Sequence, residues 1–162
     1  MLPRHPNLIW AQLAEDRLAA SFIADGHHLP DDTLCAMLRA KSLARSMLVS
    51  DLTALGGMPP GRYRSPIGGE VDLSADGRLG IPGTPYLAGA ARTLADGVAH
   101  AIVAARLTLA EALSLATVNP GRALGGGGEL RVGARADLIR FRWAPGDRSL
   151  AMETVLVAGE CV

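Results

Sequence analysis

The chain has 162 residues, 49% of them apolar and 20% charged, with sixteen basic residues against sixteen acidic ones. That length and mixture suit a globular domain with a core and exclude a disordered chain. The charge is balanced and no Lys/Arg block stands out, so neither a nucleic-acid partner nor an anionic membrane is expected, and no apolar run approaches a membrane span.

Met1-Leu2-Pro3-Arg4-His5-Pro6 has no signal-peptide character. Asn7 to Leu18 reads as a helix, and nothing before it resembles a domain's first strand, so the chain is expected to begin in mid-fold. Phe22-Ile23-Ala24 lies in a short apolar strand, about Ala20 to Asp25, which runs into Asp25-Gly26-His27-His28. Pro30-Asp31-Asp32-Thr33 starts a helix, with acids favourable near its N-terminus. Leu34, Met37 and Leu38 share one face of it, and Arg39 and Lys41 near the end suit the dipole. Ser46 to Ser50 is the second strand, and Met47-Leu48-Val49 leads to Asp51. The two acids are twenty-six positions apart, so the segment reads as β-α-β with chemistry at both carboxyl ends.

From Leu52 to Pro85 glycine and proline punctuate the chain, at Gly56-Gly57, Pro59-Pro60-Gly61, Gly68-Gly69 and Pro82-Gly83. The stretch reads as a hairpin insertion, with a turn at Asp76-Gly77 between Val71-Leu73 and Arg78-Leu79. Tyr86-Leu87-Ala88-Gly89-Ala90 reads as an apolar turn before a helix over Thr93 to Arg106. Thr108-Leu109-Ala110-Glu111 is a capping box opening a further helix that ends near Asn119-Pro120. Gly125 to Gly128 reads as a flexible connector dividing residues 1–124 from 125–162. Beyond it, Asp137 to Trp143 and Thr154 to Val157 are strands of a small β-element, with a turn at Ala158-Gly159.

Asp51 carries two readings: a carboxylate that caps a loop or pairs with an arginine, or a site residue at a strand's carboxyl end. Two adjacent histidines do not easily ligate one metal, so His27 and His28 are no metal motif. One of them is expected to be exposed and the other satisfied by a backbone carbonyl, or else one faces a substrate or a developing oxyanion. Arg4, in its proline-framed segment, reads as a solvated charge. The Tyr86 to Ala90 segment either packs or presents N–H groups to a ligand. The two cysteines, Cys35 and Cys161, show no metal-ligand spacing and suit a reduced, cytoplasmic chain.

Five segments in order resemble the N-acetylglucosamine-6-phosphate deacetylases of the amidohydrolase superfamily. They are Ile23 to His28, Leu48 to Asp51, Leu87 to Gly89, Ala112 to Ala116 with Asn119-Pro120-Gly121-Arg122, and Gly133 to Leu138. The resemblance implies an α/β fold: the C-terminal part of a (β/α)8 metal-dependent hydrolase barrel, comprising its last two βα strands and helices, plus return strands of a small β-sandwich. It implies that Asp51 takes a proton from a metal-bound water and gives it to the departing amine, and that His28, Leu87, Ala88 and Gly89 contact an amino-sugar phosphate. It implies that Arg4 binds the phosphate across the boundary of a homodimer. It also implies a divalent metal, zinc or iron-like, whose ligands lie upstream of Met1; Met1 resembles an internal methionine of the family. Ala90 and the Met58-Pro59-Pro60-Gly61 loop depart from the family pattern. An inactive barrel fragment or interaction module, and an amidohydrolase of different substrate, are the alternatives.

Overall fold

The computed structural model describes residues 3–66 and 69–162; Met1 and the Gly68 half of the expected Gly68-Gly69 turn lie outside them. The chain begins with helix α1 (Leu8–Ala14), whose N-cap Asn7 accepts a hydrogen bond from the Trp10 N–H. None of its residues is buried. Strand β1 (Ala20–Ile23), helix α2 (Asp31–Lys41) and strand β2 (Ser46–Val49) follow, with a single 3-10 turn at Leu43–Arg45 before β2. β1 and β2 pair in parallel, with Phe22 opposite Leu48 and Ile23 opposite Val49. The register offset equals the spacing of the two acids, so Asp25 and Asp51 leave the sheet at the same level. The β-α-β expectation is realised.

Lys41 departs from the dipole role expected of it. It is buried, and its Nζ donates to the carbonyls of Gln12 at 2.7 Å and Glu15 at 2.6 Å. Those groups stand at the C-terminal end of α1, where the last carbonyls have no partner inside the helix. The lysine therefore fastens α1 to α2 instead of serving the dipole of its own helix.

From Gly61 the chain makes an antiparallel meander of β3 (Gly61–Ser65), β4 (Gly69–Leu73), β5 (Arg78–Gly80) and β6 (Leu87–Ala90). Leu73 pairs with Leu79 across the Asp76-Gly77 turn, as the sequence predicts. This sheet has its own apolar centre of Val71, Leu73 and Leu79. The Tyr86–Ala90 segment is not a turn: Leu87 to Ala90 are strand, and Gly80 pairs with Leu87. Small residues carry little periodicity, so pairing with β5, not side-chain pattern, makes this strand.

Helices α3 (Leu94–Ala105) and α4 (Leu109–Ala116) both open with capping boxes, at Thr93/Asp96 and Thr108/Glu111. The chain does not stop at Asn119-Pro120. It kinks at Thr117 and continues as α5 (Val118–Ala123), with Pro120 in the first turn, where a missing N–H costs nothing. The Asn119 amide donates to the carbonyls of Leu43 and Ser46, both at 2.7 Å, and fixes α5 to the entry of β2.

The glycine run lies close against α4 and α5. A Cβ at Gly128 would collide with the Thr117 carbonyl, and the Gly126 N–H donates to Gly121 at 2.8 Å. An antiparallel sheet of β7 (Leu138–Arg142), β8 (Ala151–Val157) and β9 (Glu160–Cys161) completes the chain.

Phe22 and Leu48 of the parallel pair, with Ala24 just past β1, pack with Leu34 and Leu38 of α2, Val98 and Ala101 of α3, and Ala112 and Leu115 of α4. The helices therefore cover one face of the two strands. On the other face Ser21 and Val49 are exposed, while Ile23 and Met47 are half-buried. Parallel strands are ordinarily buried on both faces. A groove of about 350 Å³ follows β1, lined by Ile9, Leu13, Phe22, Ile23 and Met37, with His28 at its end. Among the described residues, no helix is long and apolar enough to cross a membrane.

Candidate functional site

The loop after β1 is built around Asp25. Its carboxylate is 3% exposed. Oδ1 accepts the backbone N–H groups of His27 and His28, each at 2.9 Å. Oδ2 lies 2.9 Å from His28 Nδ1. An aspartate that accepts N–H groups two and three residues ahead folds the chain back on itself. This turn aims the His28 ring at the end of β2. Burial pushes the Asp25 carboxyl up, but the N–H groups of His28 and His27 and the His28 ring outweigh it and hold its pKa below the usual carboxylate value.

A depressed carboxylate stabilises the fold above its unfolded pKa of about 3.9, and that stabilisation is lost as pH falls through the folded value. Asp25→Asn is therefore expected to be less stable than the wild type at neutral pH, with the gap narrowing below pH ~4. Urea midpoints measured at neutral and acid pH check this. A gap that does not change with pH would refute it.

Asp51 stands at the end of β2 with a left-handed backbone (φ 54°). Its carbonyl accepts the Ala90 N–H at 3.1 Å, and the Ala90 carbonyl accepts the Thr53 N–H at 2.9 Å. The tip of β6 thus holds the backbone on both sides of Leu52. The Asp51 side chain is 49% exposed, and its Oδ2 lies 3.7 Å from His28 Nε2. That separation suits an ion pair but is too long for a hydrogen bond.

Gly89 is the third member. At φ 104°, a Cβ there would press on the Thr53 methyl at 2.6 Å and stand 3.6 Å from Asp51 Oδ2. The positive φ and the Thr53 methyl call for glycine at this place, while the acid itself lies at ordinary contact distance. Leu87 is half-buried in the same strand, and Ala88 packs against the apolar centre of the meander.

His28, Asp51 and Gly89 are thus brought together. Arg4 is not: it is exposed, and its described contact is its carbonyl accepting from the Asn7 amide at 3.0 Å. His27 turns away from the site, with Nε2 3.2 Å from the Asp76 carbonyl, so of the two histidines it is this one that meets a backbone carbonyl. Arg92 donates from Nη1 to the Asp25 carbonyl at 3.2 Å and ties the chain before α3 to the same loop. His100 on α3 lies 3.1 Å from Asp31 Oδ1. Sequence reasoning named neither Asp25 nor Arg92 as a site residue. The first had a legible signal in its spacing to His28; the second, sixty-seven positions from its partner, had none.

Among the described residues, no group of three or more His, Cys, Asp or Glu could hold a metal ion. The residues present therefore do not make a metal centre. They offer a half-exposed carboxylate beside a histidine fixed from behind by a buried acid.

Residues 11–162 match the amidohydrolase family. A protein of Escherichia coli (strain K12) is 29% identical over 97% of this chain and 90% of its own length. The N-acetylgalactosamine-6-phosphate deacetylase of Escherichia coli O157:H7 is also 29% identical, but the chain spans 40% of it. The crystal structure of N-acetyl-D-glucosamine-6-phosphate deacetylase from Mycobacterium smegmatis superposes with a TM-score of 0.81 at 31% identity, over 94% of this chain and 40% of that one.

Proposed function

This chain belongs to the amidohydrolase family, and from that premise we propose that it serves in the hydrolysis of the N-acetyl group of an amino-sugar 6-phosphate, N-acetylglucosamine 6-phosphate in the first instance. The observation that carries this reading is the meeting of His28, Asp51 and Gly89 at one rim, from three separated segments. In this reading residues 1–124 are the C-terminal part of a (β/α)8 barrel with the meander inserted at about 52–85. Residues 125–162 are linker and return strands of a flanking β-sandwich.

Asp51 acts as general base and then general acid, taking a proton from the attacking water and passing it to the amine that leaves. Its half-exposed carboxylate suits a group that must meet both water and substrate. His28 binds the sugar, and Leu87, Ala88 and Gly89 border it. Arg4, exposed on its own chain, reaches the phosphate across a homodimer boundary. A divalent metal, zinc or iron-like, supplies an activated water at neutral pH when bound. In this reading its ligands belong to other strands of the barrel. The two cysteines are free, which suits the reducing cytoplasm.

A second reading, a non-catalytic fragment or interaction module, draws on the lack of a metal-holding cluster among the described residues and on the partly uncovered face of β1 and β2. One experiment separates the two. A hybrid placing the metal-binding strands of a relative ahead of this chain should release acetate from N-acetylglucosamine 6-phosphate or its galactosamine epimer, and this chain alone with zinc should release none. A folded, metal-loaded hybrid that is inert on both sugars would favour the second reading. Within an active hybrid, His28→Ala should raise KM more than His27→Ala does; equal effects would remove His28 from sugar binding.

A further inference from the structure

His28 is held through one ring nitrogen and offers the other. The acid behind it is buried and ionised, and an ionised carboxylate only accepts hydrogen bonds. With Asp25 Oδ2 at 2.9 Å, His28 Nδ1 must carry the proton. A neutral imidazole carries one proton, so Nε2 then presents a bare lone pair. That lone pair faces the same space as Asp51 Oδ2, 3.7 Å away. Two acceptors looking into one gap are satisfied together by a group that donates to them.

We propose that Asp25 is a positioning residue that sets the tautomer of His28, making His28 Nε2 and Asp51 a paired acceptor for a donor group of the ligand, a sugar hydroxyl or the amine. This deepens the deacetylase reading and rests on it for the ligand; the tautomer rests on the hydrogen bonds around Asp25 and on its ionised carboxylate. Asp25 touches no ligand in this scheme. It acts through the ring it holds.

The arrangement makes Asp25→Asn informative. Oδ1 of Asp25 receives two backbone N–H groups, from His27 and His28. An asparagine there would keep its oxygen in that place, because its amino group cannot accept. The NH2 would then face His28 Nδ1, which would have to become the acceptor. The ring proton would move to Nε2, reversing the polarity of the atom that looks toward Asp51. A role limited to stabilising the turn would leave the tautomer as it was.

Nitrogen NMR of the histidine rings, recorded on the full 162-residue chain with selective histidine labelling, distinguishes the two tautomers directly. His5→Gln, His27→Gln and His100→Gln samples assign the signals of the four histidines. The pH is set well above ~6.5, the ordinary histidine pKa, to populate the neutral ring. Should the chain assemble into large particles, solid-state spectra read the same nitrogens. The expected result is a proton on Nδ1 of His28 in the wild type and on Nε2 in Asp25→Asn. A proton on Nε2 in the wild type overturns the proposal, and needs no variant to be seen. So does an Asp25→Asn spectrum with the proton still on Nδ1. Neither outcome depends on whether a hybrid enzyme releases acetate, so failure here and failure of the deacetylase reading are distinguishable.

Discussion

Asp51→Asn in an active hybrid is expected to lower turnover roughly 100- to 10,000-fold, the range for losing a positioned acid–base group, with KM little changed. Asparagine has the size of aspartate but cannot take up a proton. The side chain is half exposed and its neighbour His28 is beyond hydrogen-bond distance, so the exchange removes no buried contact. The backbone on either side is held by Ala90 whatever the side chain. The thermal midpoint should therefore stay where it was while turnover collapses. The rival role, a carboxylate that merely caps its loop, predicts the reverse pattern: a lower midpoint with turnover intact. Turnover within a few-fold of the wild type would remove Asp51 from the chemistry.

Leu34→Ala should have the largest effect on folding, about 2–5 kcal/mol for a buried leucine that leaves a cavity behind. Leu34 is fully buried, at 0% exposure, among the residues where α2 meets the parallel strands. Typical domains hold only about 5–15 kcal/mol in total, so the variant would stand near the edge of stability. A drop of ~2–4 °C in Tm per kcal/mol is expected at this chain length. Val103→Ala, on the exposed side of α3, serves as the control and should stay within about 0.5 kcal/mol. Chemical denaturation of both variants measures the difference. Equal, small losses would mean that α2 is not part of the cooperative core.

The arrangement around the site was legible where one segment contained its own cause. Phe22 to His28 and Leu48 to Asp51 announce strands that end in acids, and the offset between them matches the register. The Asp76-Gly77 turn and the Thr108 capping box are local chemistry and form where expected. What stayed hidden depends on partners distant along the chain. Leu87 to Ala90 form a strand because β5 lies beside them, which no pattern in four small residues reveals. Lys41 looks like a charge serving its own helix dipole until α1 is seen to end against it. The glycine run suggests a free hinge, yet the carbonyl of Thr117 stands where a side chain would be. Arg4, assigned by likeness alone, meets no residue of the site among those described.

The meander with its separate apolar centre has a consequence for how the acid is kept in place. Asp51 leaves a strand of one core, but the hydrogen bonds that fix its peptide come from a strand of the other. Cooperative units of a protein can open one at a time, each with its own free energy, and amide hydrogen exchange reports them separately. Opening of the meander would let the acid drift while the helices and the parallel pair keep their amides protected. The precision of the rim is therefore limited by the weaker of two clusters, and a change at Val71 would loosen chemistry that it never touches.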